Sequence, residues 1–269
     1  MNLMMLTADP VTASIAEKSG VERIFLDLEI INKEERQKGR NTLISHNSLD
    51  DVEKVKRSLN TANLLVRVNP YYENSQFEID RAIDGGADII MMPMITTAFQ
   101  VEKLVEMVKG RAKVCPLLET AQSVARLNSI LDVDGIDELY LGLNDMHISF
   151  NLNFMFELLS DGIVDYMSQK IQAKKIPFGF GGLARIGEGL LPAEFILGEH
   201  YRLGSTSVIL SRTFRNEVGK ARDFNFTEEI KKIRDQEELI KTWTTHEFES
   251  NKQKVKSIVH SICSSIYAS

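Results

Sequence analysis

The chain has 269 residues, of which 43% are hydrophobic, and its formal net charge is −6. This length is enough to bury a full core and is typical of an eight-fold barrel domain. The acidic balance argues against a nucleic-acid surface, which usually carries a basic stripe. The two cysteines, Cys115 and Cys263, lack metal-type spacing, which disfavours a disulfide framework and favours a reducing compartment.

The sequence also argues against a membrane protein. The longest uncharged stretch, Ile89 to Val101, is too short to cross a bilayer as a helix and contains Pro93. The first residues, Met1 to Met5, lack the basic flank and the long apolar run of a signal peptide. We therefore expect a cytoplasmic protein that acts on a small molecule, with no membrane and no nucleic-acid partner.

Short apolar runs alternate with amphipathic ones along most of the chain. Eight runs have the length and the polar or glycine boundaries of buried parallel strands: Leu3–Leu6, Arg23–Leu28, Leu64–Val68, Ile89–Met92, Lys113–Leu118, Glu138–Leu141, Pro177–Phe180 and Ser207–Leu210. Helical patterns follow seven of them: Val11–Lys18, Leu49–Leu59, Phe77–Asp84, Phe99–Val108, Gln122–Leu131, Phe154–Ala173 and Pro192–Tyr201. This alternation predicts an α/β fold, and eight strands favour a parallel (β/α)8 TIM barrel over a doubly wound sheet.

The carboxyl-terminal part has a different pattern. From Glu228 to Tyr267 it is charged and amphipathic, which predicts two further helices. We expect one barrel domain over residues 1–269, with 228–267 as a helical extension. The extension either covers the barrel or joins neighbouring subunits. The second alternative predicts a homo-oligomer, trimeric or hexameric, whose buried contacts include Val255, Ile258, Ile262 and Ile266.

Polar side chains stand where four of the predicted strands end. They occur in Asp27-Leu28-Glu29, in Arg67-Val68-Asn69, at Glu119, and in Gly142-Leu143-Asn144-Asp145. A parallel barrel builds its active site at the carboxyl ends of its strands. Carboxylates gathered there without a histidine or cysteine cluster suit Mg²⁺ or Mn²⁺ better than zinc.

These motifs, together with Gly86 to Met94, resemble the HpcH/HpaI family of metal-dependent 2-oxo acid aldolases and citrate lyase β-subunits over roughly Phe25 to Ser211. The resemblance implies that Glu119 and Asp145 bind the metal and that Arg67 contacts the substrate oxyanion. It also implies a divalent-metal-dependent carbon–carbon lyase. Aldolase members carry a histidine where this chain has Ile30 and a glutamine where it has Leu117, which leaves the general base unassigned.

The chemistry of such a reaction agrees with this residue set. Cleavage of a 2-oxo acid accumulates negative charge on an enolate oxygen, and a divalent ion lowers that cost. Arg67 adds a fixed positive charge at the same oxygen. A Schiff-base aldolase would need a lysine at a strand end, and none of the eight predicted ends carries one. The alternatives are a thioester-using lyase of the citrate or malyl type and a metal-binding barrel subunit without catalysis.

Each candidate residue also has a structural interpretation. Glu119 would suit a helix start, Asp145 would cap a turn, and Arg67 would pair with an acid at the barrel rim. Asp27 and Glu29 are catalytic candidates that alternatively hold Arg67 in place. Substrate contacts are predicted for Asn69, Leu143 and Asn144, and the two asparagines alternatively satisfy loop backbone groups.

Two segments are candidates for shaping specificity. The charged connection from Ile30 to Asn47, which contains His46, is either a lid over an anionic substrate or an exposed loop. The run Gly179-Phe180-Gly181-Gly182 is expected to follow strand seven, where barrels often bind phosphate through backbone amides. Close packing of this loop on the barrel is the alternative.

Overall fold

A computed structural model describes residues 1–31, 47–215 and 225–267 of the chain. Eight parallel strands pair in chain order and close into a barrel, since the last strand pairs with the first. They are β1 (Asn2–Leu6), β2 (Arg23–Asp27), β3 (Asn63–Arg67), β4 (Ile89–Met92), β5 (Lys113–Leu118), β6 (Leu139–Leu141), β7 (Phe178–Leu183) and β8 (Ser207–Leu210). The predicted (β/α)8 barrel is confirmed.

Helices surround the strands as the amphipathic runs predict. Those between strands are α1 (Pro10–Lys18), α2 (Leu49–Arg57), α3 (Ser75–Asp84), α4 (Ala98–Val108), α5 (Ala121–Ala125), α6 (Leu127–Leu131), α7 (Leu143–Ser149), α8 (Glu157–Ser160), α9 (Ile163–Ala173) and α10 (Ala193–Arg202). After β8 come α11 (Arg212–Arg215), α12 (Phe226–Ile240) and α13 (Thr245–Tyr267). None of the described helices has the length and apolarity needed to span a bilayer.

Two of the predicted helices are each split into a pair of helices in the structure. The run Gln122–Leu131 becomes α5 and α6, which meet at Arg126, and the run Phe154–Ala173 becomes α8 and α9. Gly162 separates the latter pair with a left-handed backbone, φ 89°, that a continuous helix does not allow. Apolar periodicity carries across such breaks because both halves face the same core.

The barrel has an inner and an outer core. Side chains of alternate strand residues fill the interior, including Phe25, Leu65, Met91 and Tyr140, and the others pack beneath the helices. All five residues of β2 are buried for this reason. The strands therefore read as continuous apolar runs rather than as alternating ones.

The carboxyl-terminal helices pack on their own barrel. Helix α13 lies against α10 and α8, and Val255 and Val259 on it are buried within the same chain. The prediction that Val255 contributes to a subunit interface is therefore corrected, since its side chain is already covered. Ile258 and Ile262 are only half-buried, and the side chain of Ile266 lies outside the described residues.

Candidate functional site

A cavity of about 360 Å³ opens at the carboxyl ends of the barrel strands. Its lining combines apolar side chains from the barrel interior with a ring of polar ones. The polar and charged lining residues are Asp27, Arg67, Glu119, Tyr140, Asn144, Asp145, Ser211 and Arg212. A concave, largely apolar cavity with a few convergent charged groups is the usual form of a small-molecule site.

Arg67, the last residue of β3, is held by two carboxylates from the end of β2. Its Nε donates to Asp27 Oδ1 at 2.8 Å, and one terminal nitrogen donates to Asp27 Oδ2 at 2.8 Å. Glu29 Oε2 lies 3.3 Å from the same terminal nitrogen. Burial opposes the charge on Arg67, but Asp27 and Glu29 outweigh it and raise the pKa of the guanidinium. Arg67 is therefore a permanent, oriented cation.

Asp27 and Glu29 differ in their access to the cavity. Asp27 lines it, whereas Glu29 is 2% exposed and is not among the lining residues. The backbone N–H of Glu29 donates to Asp27 Oδ1 at 3.1 Å, which ties the turn after β2 to the same carboxylate. The contacts of both acids with Arg67 match the positioning alternative in the sequence, and direct catalysis by them stays a prediction.

Glu119 follows β5 directly and is buried, with 2% of its surface exposed. Its Oε1 accepts from the backbone N–H of Met94 at 2.9 Å. Burial and the nearby negative charge of Asp145 raise the pKa of Glu119 to about 8, although Arg67 acts in the opposite direction. A buried acid whose charged form is disfavoured in this way is a common mark of a functional site.

Asp145 approaches the cavity from the next strand, in the first turn of α7, and is half-buried. Leu143 and Asn144, from the same turn, also line the cavity, with Leu143 buried and Asn144 exposed. The turn comes close to Glu119 because residue 142 is glycine. A Cβ on Gly142 would stand 2.7 Å from Glu119 Oε2, so any side chain there would displace the carboxylate.

The pair Glu119 and Asp145 fits a divalent cation. A positive ion between them would relieve the repulsion that raises the pKa of Glu119. Among the described residues, no group of three or more histidine, cysteine, aspartate or glutamate side chains is arranged to hold a metal. Two carboxylates alone leave most of the coordination positions of Mg²⁺ or Mn²⁺ to water and substrate.

Asn69 hydrogen-bonds to the loop after β2 and is not among the residues that line the cavity. Its Oδ1 accepts from the backbone N–H groups of Ile30 and Ile31, both at 2.9 Å. Its Nδ2 donates to Glu78 Oε1 at 2.7 Å and to the carbonyl of Leu28 at 3.5 Å. These contacts match the loop-backbone alternative, and the substrate contact suggested for Asn69 stays a prediction.

The two positions that differ from the aldolase pattern have different surroundings. Leu117 lines the cavity with a buried apolar side chain. Ile30 is 54% exposed on the loop after β2.

His147 is buried in α7 with Nδ1 3.3 Å from the carbonyl of Leu143, and it is not a lining residue. His46 and most of the proposed lid, residues 32–46, lie outside the described part of the chain.

The glycine run near residue 180 corrects one prediction. Strand β7 continues to Leu183, so Gly181 and Gly182 belong to the strand and do not form a loop after it. The prediction ended the strand early because glycine has low β-propensity. Here β8 pairs with the run across a register shift, and both glycines line the cavity.

Ser211 and Arg212, which line the cavity directly after β8, were missed in the sequence. The rule that selected Glu119 and Asp145 also applies to them, since they are the first polar residues after a predicted strand.

The family model HpcH/HpaI aldolase/citrate lyase matches residues 2–154. Among solved structures, a family protein from Burkholderia cenocepacia has a TM-score of 0.65 at 14% identity, covering 87% of this chain and 94% of its own. An HpcH/HpaI aldolase from Desulfitobacterium hafniense has a TM-score of 0.61 at 13% identity, covering 83% and 95%. Citrate synthase SbnG has a TM-score of 0.62 at 16% identity, covering 81% and 90%. No curated protein sequence matches the chain.

Proposed function

This chain belongs to the HpcH/HpaI aldolase/citrate lyase family, and from that premise we propose that it is a divalent-metal-dependent carbon–carbon lyase acting on a 2-oxo acid. The family is one of lyase-type enzymes and is generally dependent on a divalent metal. The observation that carries the proposal is that Glu119, Asp145 and Arg67 line one cavity at the carboxyl ends of β5, β6 and β3.

Glu119 and Asp145 would hold the cation. A divalent ion there supplies Lewis acidity toward the carboxylate and keto oxygens of a 2-oxo acid, which lowers the cost of developing negative charge by several kcal/mol. The chain contributes the position of its two carboxylates. The N–H of Met94 orients one oxygen of Glu119, and the absence of a side chain on Gly142 leaves room for the other.

Arg67 is proposed to bind the oxygen that becomes negative when the carbon–carbon bond breaks. Its Nε and one terminal nitrogen are held by Asp27, so the guanidinium keeps one orientation as substrate enters. A preorganised charge of this kind costs no reorganisation during the reaction. Asp27 and Glu29 act in this proposal as positioning residues, because both contact Arg67.

The apolar part of the lining supports the same chemistry. Leu6, Phe25, Met91 and Leu117 surround the charged groups and limit water around the substrate. Electrostatic interactions strengthen when water is excluded. Among the described residues, no histidine lines the cavity, so the group that accepts the hydroxyl proton of the substrate is left unassigned.

The test separates metal binding from turnover. Calorimetry with Mn²⁺ should give a binding isotherm that weakens strongly in Glu119→Gln and in Asp145→Asn. The matched control is Asp132→Asn, whose carboxylate is 67% exposed and pairs with Lys174 outside the cavity. With metal and pyruvate in deuterated water, the wild-type protein should exchange the methyl protons of pyruvate, and with an added aldehyde it should form or cleave the aldol product.

Two outcomes would contradict the proposal. Unchanged Mn²⁺ affinity in both site variants would remove Glu119 and Asp145 as ligands. Tight metal binding without proton exchange or aldol turnover would favour a binding subunit over a lyase.

A further inference from the structure

Met94, the second residue after β4, has a left-handed backbone with φ 56°. Among the described residues other than glycine, three more have a positive φ, and all three stand at the end of a helix: Lys109, Asn151 and Lys175. Helices commonly end with a left-handed residue. Met94 follows a strand instead, and a strained backbone at such a place persists only where the surrounding contacts impose it.

The segment that follows Met94 is anchored at two consecutive residues. Ile95 has a fully buried side chain, and its carbonyl accepts from Thr120 Oγ1 at 3.2 Å. The N–H of Thr96 donates to Gln100 Oε1, in the first turn of α4, at 2.7 Å. The direction in which the chain leaves Met94 is therefore set by contacts with the end of β5 and with α4.

The left-handed turn directs the N–H of Met94 to Glu119. A backbone N–H belongs to the rigid peptide unit before its residue, and φ sets how that unit stands relative to the chain that follows. Because the chain is anchored from Ile95 onward, the φ of Met94 decides where this N–H points. It donates to Glu119 Oε1 at 2.9 Å. Pro93 has no N–H, so Met94 is the first residue after β4 that can donate in this way.

The two oxygens of Glu119 face different segments of the chain. Oε1 faces the segment after β4. Oε2 lies beside Gly142, where an added Cβ would come within 2.7 Å of it. Asp145 belongs to the helical turn that begins after Gly142. Holding Oε1 at Met94 therefore leaves Oε2 on the side of the second proposed metal ligand.

We propose that Met94 is a positioning residue of the metal site, whose left-handed backbone holds Glu119 Oε1 through its N–H and so presents Oε2 to a divalent cation beside Asp145. This inference rests on the proposed function, in which Glu119 and Asp145 bind that cation. The side chain of Met94 is not among the residues that line the cavity. Its role is therefore carried by the backbone and not by the thioether.

The experiment compares Mn²⁺ affinity with stability in variants of the full-length protein. Calorimetry measures the affinity, and thermal melting in EDTA measures the stability of the metal-free state. Met94→Val introduces a β-branched side chain, which is rarely left-handed, and should turn the N–H away from Glu119. Mn²⁺ affinity should then fall by about tenfold to a hundredfold, the value of one hydrogen bond to a charged group. Met94→Gly keeps the N–H and accepts a positive φ, so it should bind Mn²⁺ as wild type does.

Lys109→Val is the matched control. Lys109 has the same backbone conformation, φ 53°, at the exposed end of α4, where its N–H donates to the carbonyl of Val105. Valine at this position should lower the melting temperature as Met94→Val does and leave Mn²⁺ affinity unchanged. Strain lowers stability at either position, whereas a loss of affinity at residue 94 alone identifies a positioning role.

Two results would overturn the role of Met94 while the metal site itself stands. Wild-type Mn²⁺ affinity in a Met94→Val protein with a lowered melting temperature would mean that the conformation serves folding only. Weaker binding in Met94→Gly would mean that the side chain is required. If Met94→Val does not fold, Met94→Gly and Met94→Ala decide instead, because both keep the N–H and must retain wild-type affinity.

Failure of the proposed function gives a different result. A wild-type protein that binds no Mn²⁺, or that binds it equally well after Glu119→Gln, would overturn the metal site, and the role of Met94 with it.

Discussion

Replacing Glu119 with glutamine should stabilise the metal-free protein at neutral pH. Burial and Asp145 raise the pKa of the Glu119 carboxyl from 4.5 to about 8, so in the metal-free state its negative charge opposes folding. The unfolded chain releases this proton near pH 4.5 and the folded chain only near pH 8. Between these values the folded state holds more protons, and the free energy of unfolding therefore falls as the pH rises.

The magnitude follows from the same shift. At pH 7 the folded state keeps this carboxyl protonated at a cost of about 3 kcal/mol, because each pH unit above the unfolded pKa is worth about 1.4 kcal/mol until the pH reaches the folded pKa. Glutamine removes the charge while its amide oxygen still accepts from Met94. Below pH 4.5 the carboxyl is protonated in both states, and the gain should disappear.

Urea unfolding in EDTA at pH 5, 7 and 8 measures this difference. The matched control is Glu53→Gln, at a surface carboxylate that is 59% exposed. Saturating Mn²⁺ should reverse the order, since it stabilises only the protein that binds it. A gain of equal size at pH 5 and pH 8, or a variant less stable than wild type in EDTA at pH 8, would refute the reasoning.

Four further outcomes are expected. Gly142→Ala should lower Mn²⁺ affinity by roughly tenfold or more in calorimetry, because the new Cβ would stand 2.7 Å from Glu119 Oε2. The backbone at residue 142, with φ −83°, tolerates alanine, so the effect should come from the carboxylate. Unchanged affinity would show that the carboxylate has room to move. Arg67→Lys should lower kcat/KM by roughly a hundredfold, because lysine keeps the positive charge but lacks the planar guanidinium. The variant should melt within a few degrees of wild type. An early-melting variant with normal turnover would instead support a structural role. Burial lowers the pKa of His200 from 6.5 to about 3, so between pH 7 and pH 5 the unfolded state binds a proton that the folded state does not. In urea unfolding over this range, the free energy of unfolding should fall by about 2 kcal/mol more for wild type than for His200→Gln. Equal losses would contradict this. Light scattering of the full-length chain should give a trimer or hexamer, and a monomer at micromolar concentration would refute this assembly. Deletion of residues 251–269 should also lower the stability of each subunit, since Val255 and Val259 are buried on their own barrel.

The sequence by itself determined the fold class and the face of the barrel that carries the charged groups. Buried parallel strands have a local signature, a short apolar run between polar boundaries, and each such run can be recognised without its neighbours. The carboxyl ends of these runs pointed to Asp27, Arg67, Glu119 and Asp145, all of which line the cavity. Neighbouring strands of this barrel follow chain order, so Asp27 was predictably beside Arg67, and Glu119 beside Asp145.

Only the tertiary structure decided which of these groups contact one another. Asn69 and Glu29 follow strands as Glu119 does. The side chain of Asn69 binds loop backbone and that of Glu29 binds Arg67, so a position after a strand does not by itself decide whether a side chain faces the cavity. The extension of β7 through Gly181 and Gly182 depends on β8 and on the hydroxyl of Tyr140, which comes from β6. Contacts across the barrel interior join residues far apart in sequence, and no local pattern of polarity encodes them.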